Sequence, residues 1–223
     1  REKDHYTFCL SSQAGCALAC RFCATGTMGL RRNLSAGEML TQVLSLKKEL
    51  GDYAGKLNLV FMGMGEPLLN YENLARALRS ISEPDGLNIS PRRITVSTAG
   101  ILDSLKKLEH DFPLVKIAFS LNAPTPLLRS ELMPVSRRES LDGLLAWFRG
   151  HKRRQRITCE YVLLQGVNDS PAQARQLARL LHGIPAKVNL IPYNENPALP
   201  FRRPDEAAVE NFRAELLERG LTV

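Results

Sequence analysis

Four of the five cysteines in this 223-residue sequence, Cys9, Cys16, Cys20 and Cys23, crowd near its start, and only Cys159 lies elsewhere. An odd number of thiols, three of them spaced Cys16-x3-Cys20-x2-Cys23, speaks against a disulfide framework and for metal or redox chemistry. Thiolates are soft ligands that suit zinc or an iron–sulfur cluster. A closed zinc site wants a fourth ligand at similar spacing; no second Cys-x-x-Cys or His-x-x-x-His supplies it, although His5 or Cys9 would complete one. Three thiols around a four-iron cluster instead leave one iron without a protein ligand, able to bind and activate a small molecule. A second feature is Gly63-Met64-Gly65-Glu66-Pro67, behind the apolar run Leu57 to Met62. Glycines at a strand end let backbone approach a ligand closely and Glu66 sets a carboxylate beside it; the plainer reading is a tight turn with a solvated acid.

These residues need a frame. Runs rich in β-branched and aromatic residues occur at Tyr6 to Leu10, Leu57 to Met62, Arg93 to Ser97, Val115 to Leu121, Ile157 to Leu164 and Lys187 to Ile191. Helical stretches alternate with them. Ser35 and Glu38 form a capping-box pattern ahead of a helix that Gly51 stops, and Ser170-Pro171 caps another that ends near Gly183. Pro204-Asp205-Glu206 opens the last, ended by Gly220, and further helices are expected over Glu72 to Ser82, Ile101 to Glu109 and Leu141 to Lys152. Strict alternation predicts a parallel sheet with helices outside, because parallel neighbours need crossover connections. A closed eight-unit barrel takes about 250 residues, so six units predict an open partial (βα)6 TIM-like barrel or a doubly wound sheet, in one domain spanning 1–223. Either fold puts ligands at the carboxyl ends of the strands. The triplet Leu221-Thr222-Val223 reads as a strand cut short, and the chain as an excised core.

A composition of 44% hydrophobic and 24% charged residues excludes disordered and fibrous classes, and the +7 net charge suits an anionic partner. No apolar stretch approaches the ~20 residues of a membrane span, and no signal segment stands at the start, so a cytoplasmic location and no membrane partner are expected. The run from Arg149 to Arg156 holds five basic residues and no acid, and is a candidate for phosphate contact. Arg129, Arg137 and Arg138 bracket Leu132-Met133-Pro134 after the fourth strand, where phosphate contacts would hold a nucleic acid against the site without reading its sequence.

The cysteine motif, with Phe22 before its last thiol, and Gly65-Glu66-Pro67 resemble the radical S-adenosylmethionine enzymes. Longer blocks narrow the likeness: Ser11-Ser12-Gln13-x-Gly15-Cys16, Arg32-Asn33-Leu34, Ser120-Leu121-Asn122-Ala123, Leu132-Met133-Pro134, Glu160-Tyr161-Val162-Leu163, Gly166-Val167-Asn168-Asp169 and Asn189 to Asn194 resemble the RlmN/Cfr family of RNA methyltransferases, nearer to its adenine-C2 branch than to its C8 branch. The resemblance implies a [4Fe-4S] cluster on Cys16, Cys20 and Cys23. It implies S-adenosylmethionine contacts from Gly65 and Glu66 near the methionine moiety, and from Ser97, Ser120, Leu121, Asn122 and Asn194 around ribose and adenine. Adenine C2 is an electrophilic carbon, so ordinary methyl displacement fails there. The family route uses a methylated cysteine and a 5′-deoxyadenosyl radical, and a second cysteine that resolves the adduct; Cys9 matches that second position. The partners implied are 23S ribosomal RNA, transfer RNA or both, and a flavodoxin or ferredoxin-type reductant, with the protein itself a monomer.

Cys9 between Phe8 and Leu10 also fits a buried small hydrophobe, and Cys159 within its strand reads as packing. No cysteine follows Cys159, so the methyl-carrying residue and the family's N-terminal RNA-binding extension are expected to lie outside this sequence, and the segment alone is expected not to complete methyl transfer. Two other readings stand beside this one: a radical enzyme acting on a peptide or small metabolite, and a zinc-stabilised nucleic-acid-binding module without catalysis.

Overall fold

A computed structural model describes residues 5–51, 55–150 and 156–223. Its elements run β1 (His5–Cys9), β2 (Gln13–Gly15), α1 (Ala24–Thr27), β3 (Leu30–Asn33), α2 (Ala36–Leu50), β4 (Lys56–Phe61), α3 (Tyr71–Ser82), β5 (Ile94–Thr98), α4 (Leu102–Asp111) and β6 (Lys116–Ser120). They continue with α5 (Pro126–Leu132), α6 (Leu141–Arg149), β7 (Ile157–Leu163), α7 (Pro171–Leu180), β8 (Ala186–Pro192) and α8 (Glu206–Glu218). All six expected strands are present, within a residue or two of their expected bounds. The residues form two compact units: 1–17 with 28–117, and 18–27 with 118–223.

In the first unit β1 pairs parallel with β4, and β4 with β5, with Cys9 beside Val60 and Phe61 beside Val96. Alternate residues of a strand face opposite sides, so Leu59 and Phe61, like Ile94 and Val96, bury one face of the sheet. Met39 and Val43 of α2 and Leu74, Leu78 and Ile81 of α3 are buried with them, each contributing roughly 1.5–3 kcal/mol. The start of α2 is the expected capping box: Ser35 Oγ accepts from Glu38 N at 3.2 Å, and a Glu38 carboxylate oxygen accepts from Ser35 N at 2.8 Å. The β2–β3 hairpin is antiparallel and was not expected.

In the second unit β7 lies between β6 and β8, parallel to both; Ser120 stands beside Glu160, which stands beside Asn189. The helix-facing side is aromatic, with Phe119 against Phe148 at 5.2 Å between ring centroids and Tyr161 against Phe212 at 5.3 Å. Ser170 caps α7 as expected and Gln173 completes its capping box. Thr222 forms an isolated parallel bridge with Lys187 of β8. No helix among the described residues is long and apolar enough to cross a membrane.

Candidate functional site

Cys9 closes β1. Phe8 and Leu10 on either side are buried, whereas Cys9 is exposed, so the buried-hydrophobe reading fails: strand alternation turns the thiol away from the core. Its sulfur accepts a hydrogen bond from the Met62 amide, which favours the thiolate, but partial burial outweighs this and holds the thiol above its ordinary pKa.

The chain then turns through Ser11 and Ser12 into β2, which ends one residue before Cys16. Gly15 has φ +82°, and a Cβ there would overlap the Gly29 carbonyl, whose oxygen accepts from Cys16 N at 3.0 Å. Only glycine fits the turn that presents Cys16.

Beyond β4 the Gly63–Pro67 loop is held by the segment after β1. Met64 O accepts from Ser12 N and Gln13 N at 3.0 and 3.1 Å, and Ser11 Oγ accepts from Met64 N at 3.0 Å. Gly65 has φ +98°, and a Cβ on it would strike the Gln13 side chain. Gln13 accepts from Glu66 N at 2.8 Å and donates to Asn33 at 2.7 Å. Glu66 is not the solvated acid of the plainer reading. It is 3% exposed, with one carboxylate oxygen accepting from Leu68 N at 3.1 Å and the other from Ala99 N at 2.8 Å. Glu66 thus fixes the backbone after β4 to the backbone after β5. Ser97, on β5, is half-buried.

Within the second unit Cys20 and Cys23 are half-buried cysteines flanking one turn, with Cys23 N donating to Cys20 O at 3.1 Å. Arg21 N donates to Leu132 O at 2.9 Å, anchoring the turn beneath α5. Ser120, the last residue of β6, is half-buried, while Leu121 and Asn122 after it are buried. Asn122 sits at φ +58°, tolerable for asparagine, and its side chain accepts from Val162 N at 2.9 Å and donates to Met133 Sδ at 3.4 Å. Fully buried Asn168 donates to Asn122 O and Val162 O, both at 2.8 Å, and accepts from Leu164 N at 2.7 Å. The Asn122 side chain is therefore occupied within the protein, and it shapes the strand end rather than extending into solvent.

Arg129 overturns one expectation. It is fully buried, donating to Leu121 O at 3.1 Å and Ser120 O at 2.9 Å and lying over the Phe119 ring, so it clamps the strand end and is no phosphate contact. Arg137 and Arg138 are exposed, as that role requires. The core of the basic run, 151–155, lies outside the described residues; Arg149 donates to Leu180 O at 3.0 Å and Arg156 to Thr222 Oγ1 at 2.8 Å.

Two groups that stand in the sequence only inside longer family-like blocks, Glu160 and Tyr193, have specific environments here. Buried Glu160 accepts from Asn189 Nδ2 at 2.6 Å; burial pushes its carboxyl up, and the Asn189 bond and the Lys187 charge pull it back. Tyr193, 4% exposed and edge-on to Phe201, has a buried hydroxyl with no hydrogen-bond partner among the described residues. Burial, then the nearby Cys23 sulfur and Glu195, hold its phenol above the ordinary value. Asn194, next in the chain, is exposed.

Among the described residues no three His, Cys, Asp or Glu side chains converge as ligands of a single metal ion would. A donor set of three soft, accessible thiols fits an iron–sulfur cluster. The Tyr193 hydroxyl, buried and without a partner among the described residues, fits it as well.

Three comparisons bear on this geometry. A protein from Solidesulfovibrio magneticus named dual-specificity RNA methyltransferase RlmN is 53% identical over 99% of this chain. One of the same name from Syntrophobacter fumaroxidans is 50% identical over 97%. The chain spans 64% of the length of each. The crystal structure of a radical SAM methyltransferase from Sphaerobacter thermophilus matches with a TM-score of 0.92 and 47% identity, over 97% of this chain and 64% of its own. The fold class is accordingly α/β, the open partial (βα)6 barrel of that group. The model of the Radical SAM superfamily matches residues 10–178, and the chain belongs to that superfamily, whose cofactors are a [4Fe-4S] cluster and S-adenosylmethionine.

Proposed function

We propose that this chain is the radical core of an RNA methyltransferase that modifies adenine C2 in 23S ribosomal RNA, transfer RNA or both. The observation that carries the reading is Cys9: a thiol exposed at the end of β1, its sulfur held by the Met62 amide beside the loop of Gly65 and Glu66. A structural cysteine has no need to face solvent, whereas a thiol that attacks a substrate-bound sulfur must. The names of relatives about half identical over nearly the whole chain support the same reading.

Cys16, Cys20 and Cys23 would hold the cluster, which with S-adenosylmethionine supplies a carbon-centred radical able to act at an unreactive aromatic position. Gly65, Glu66 and Ser97 of the first unit, and Ser120, Leu121, Asn122 and Asn194 of the second, are the proposed cofactor contacts. Their chemistry divides. Glu66 and Asn122 are spent internally and act by fixing backbone amides and carbonyls in place, while Ser97, Ser120 and Asn194 keep side-chain groups for a ribose or adenine. The raised pKa of Cys9 keeps it a thiol at neutral pH, so a base must take its proton when it acts as nucleophile. Arg137 and Arg138 supply exposed positive charge for RNA phosphates. The protein works as a monomer with a flavodoxin or ferredoxin-type reductant, in the cytoplasm.

The test is nucleoside mass spectrometry of ribosomal and transfer RNA after incubation with the complete protein carrying this chain, loaded anaerobically with iron and sulfide. C2-methyladenosine is the expected product. C8-methyladenosine would move the reading to the Cfr-like branch, and methylation of neither position would reject it. Cys9→Ala should trap a protein–RNA adduct or abolish turnover; unchanged turnover removes Cys9 from the mechanism.

A further inference from the structure

Buried hydroxyls almost always find a partner, and a tyrosine left without one marks a place where the structure expects another group. The second unit holds two buried tyrosines that differ in this respect. Tyr161 donates to Asn168 O at 2.9 Å and needs nothing more. Tyr193 is fixed edge-on to Phe201 at 6.2 Å, and its oxygen has no partner among the described residues. The charge that bears on it most is the Cys23 sulfur.

A thiol sulfur is a weak acceptor, but a metal-bound thiolate is deprotonated and accepts readily. We propose that Tyr193 is a positioning residue for the cluster, donating its hydroxyl hydrogen bond to the Cys23 sulfur once that sulfur ligates iron. The inference rests on the cluster reading above and extends it to a residue outside the ligand set. A donor to a ligand sulfur offsets negative charge on the cluster, favours the reduced state and raises the reduction potential. In a protein whose first step is delivery of one electron to the cluster, that sets how readily a given reductant can act. Aromatic packing against Phe201 holds the ring at a low entropic cost, so the donor is in place before the cluster is built.

The test compares wild-type protein, Tyr193→Phe and Tyr161→Phe, each reconstituted anaerobically with iron and sulfide and assayed for iron content and midpoint potential. Tyr193→Phe should bind the same iron at a lower potential, and Tyr161→Phe should leave the potential where it is. Resonance Raman spectra of the oxidised cluster should show an iron–thiolate band that shifts in D2O in the wild-type protein and not in Tyr193→Phe. An unchanged potential in a fully loaded Tyr193→Phe protein overturns the inference and leaves the cluster reading intact. A wild-type protein that takes up no iron and sulfide overturns both. Should Tyr193→Phe fail to load, the wild-type D2O shift decides, and its absence counts against the bond.

Discussion

Glu66 in the first unit and Tyr193 in the second are both buried polar side chains just beyond a strand end, and they differ in what satisfies them. Glu66 accepts from two backbone amides, Leu68 and Ala99, and its own amide is taken by Gln13. Tyr193 has ring packing but, among the described residues, no partner for its oxygen. The first unit therefore carries a loop whose shape is finished before any cofactor arrives, held by Ser11, Gln13 and Glu66 around glycines that admit no side chain. The second has an equally finished network around Asn122, Asn168 and Arg129, and beside it one donor in reserve. Pre-formed backbone and an uncommitted donor are two ways of preparing a site, and stability measurements separate them.

The largest effect expected is at Glu66. Glu66→Ala strands the Leu68 and Ala99 amides in a dry interior, and should cost about 3–5 kcal/mol in urea unfolding. Tyr193→Phe removes an oxygen that has nothing to lose, so the same measurement on cluster-free protein should give a change within about 0.5 kcal/mol, or a gain. Tyr161→Phe, which breaks a made bond, should fall between them, near 1 kcal/mol. A loss above about 1.5 kcal/mol in Tyr193→Phe would mean that its hydroxyl has a protein partner, and the contrast with Glu66 would collapse.

A smaller contrast of the same kind lies between two strand cysteines. Cys159, 2% exposed in the middle of β7, has its thiol pushed up to about 12 by burial and the Glu160 charge. Cys9 is also raised but stands in solvent. Cys159→Ser should destabilise by about 1–3 kcal/mol, because serine brings a stronger polar group into an apolar place, while Cys9→Ser should stay within about 0.5 kcal/mol. Iodoacetamide should label Cys9 in the folded protein, faster as pH rises, and reach Cys159 only on unfolding. Labelling of both at equal rates would erase the distinction.

What was legible in the sequence follows from which signals are local. The six parallel strands were readable because Leu57 to Phe61 or Ile157 to Leu163 are runs of mostly apolar residues, and α2 because Ser35 and Glu38 are three residues apart. The cysteine motif was readable as spacing alone. The β2–β3 hairpin was missed because Leu30–Asn33 is exposed at every residue and leaves no alternation to detect. Helix α5 was missed because Pro126–Leu132 is too short to show a period. The state of Glu66 and the clamp made by Arg129 depend on partners distant in sequence or on burial, so charge alone left a cofactor-side carboxylate and a solvated acid both open for Glu66 and suggested a phosphate contact for Arg129. Tyr193 belongs to the Asn189 to Asn194 block, but the state of its hydroxyl carried no signal, since a tyrosine between proline and asparagine looks the same with that hydroxyl satisfied or open.

The smallest effect appears only as a pH dependence, and it tests a side chain between these extremes: Glu160, buried like Glu66 but held by a single side-chain donor, Asn189. Burial raises its folded-state pKa above the unfolded value, against the opposing pull of Asn189 and Lys187. A proton is then held more tightly in the folded protein than in the unfolded one. The stabilisation this gives is complete below the unfolded carboxylate pKa, about 4.3, and is lost as pH rises through the folded value. Glu160→Gln keeps the shape and removes the titration. Urea midpoints of the two proteins should therefore diverge above about pH 4.3, the variant gaining on the wild type until the difference levels off beyond the folded pKa. Asn189→Ala deletes the bond that favours the charged form, so it should move that levelling to higher pH. A difference that stays flat, or that narrows with rising pH, would mean that the Asn189 hydrogen bond and the Lys187 charge together outweigh burial, and that Glu160 is as well satisfied as Glu66.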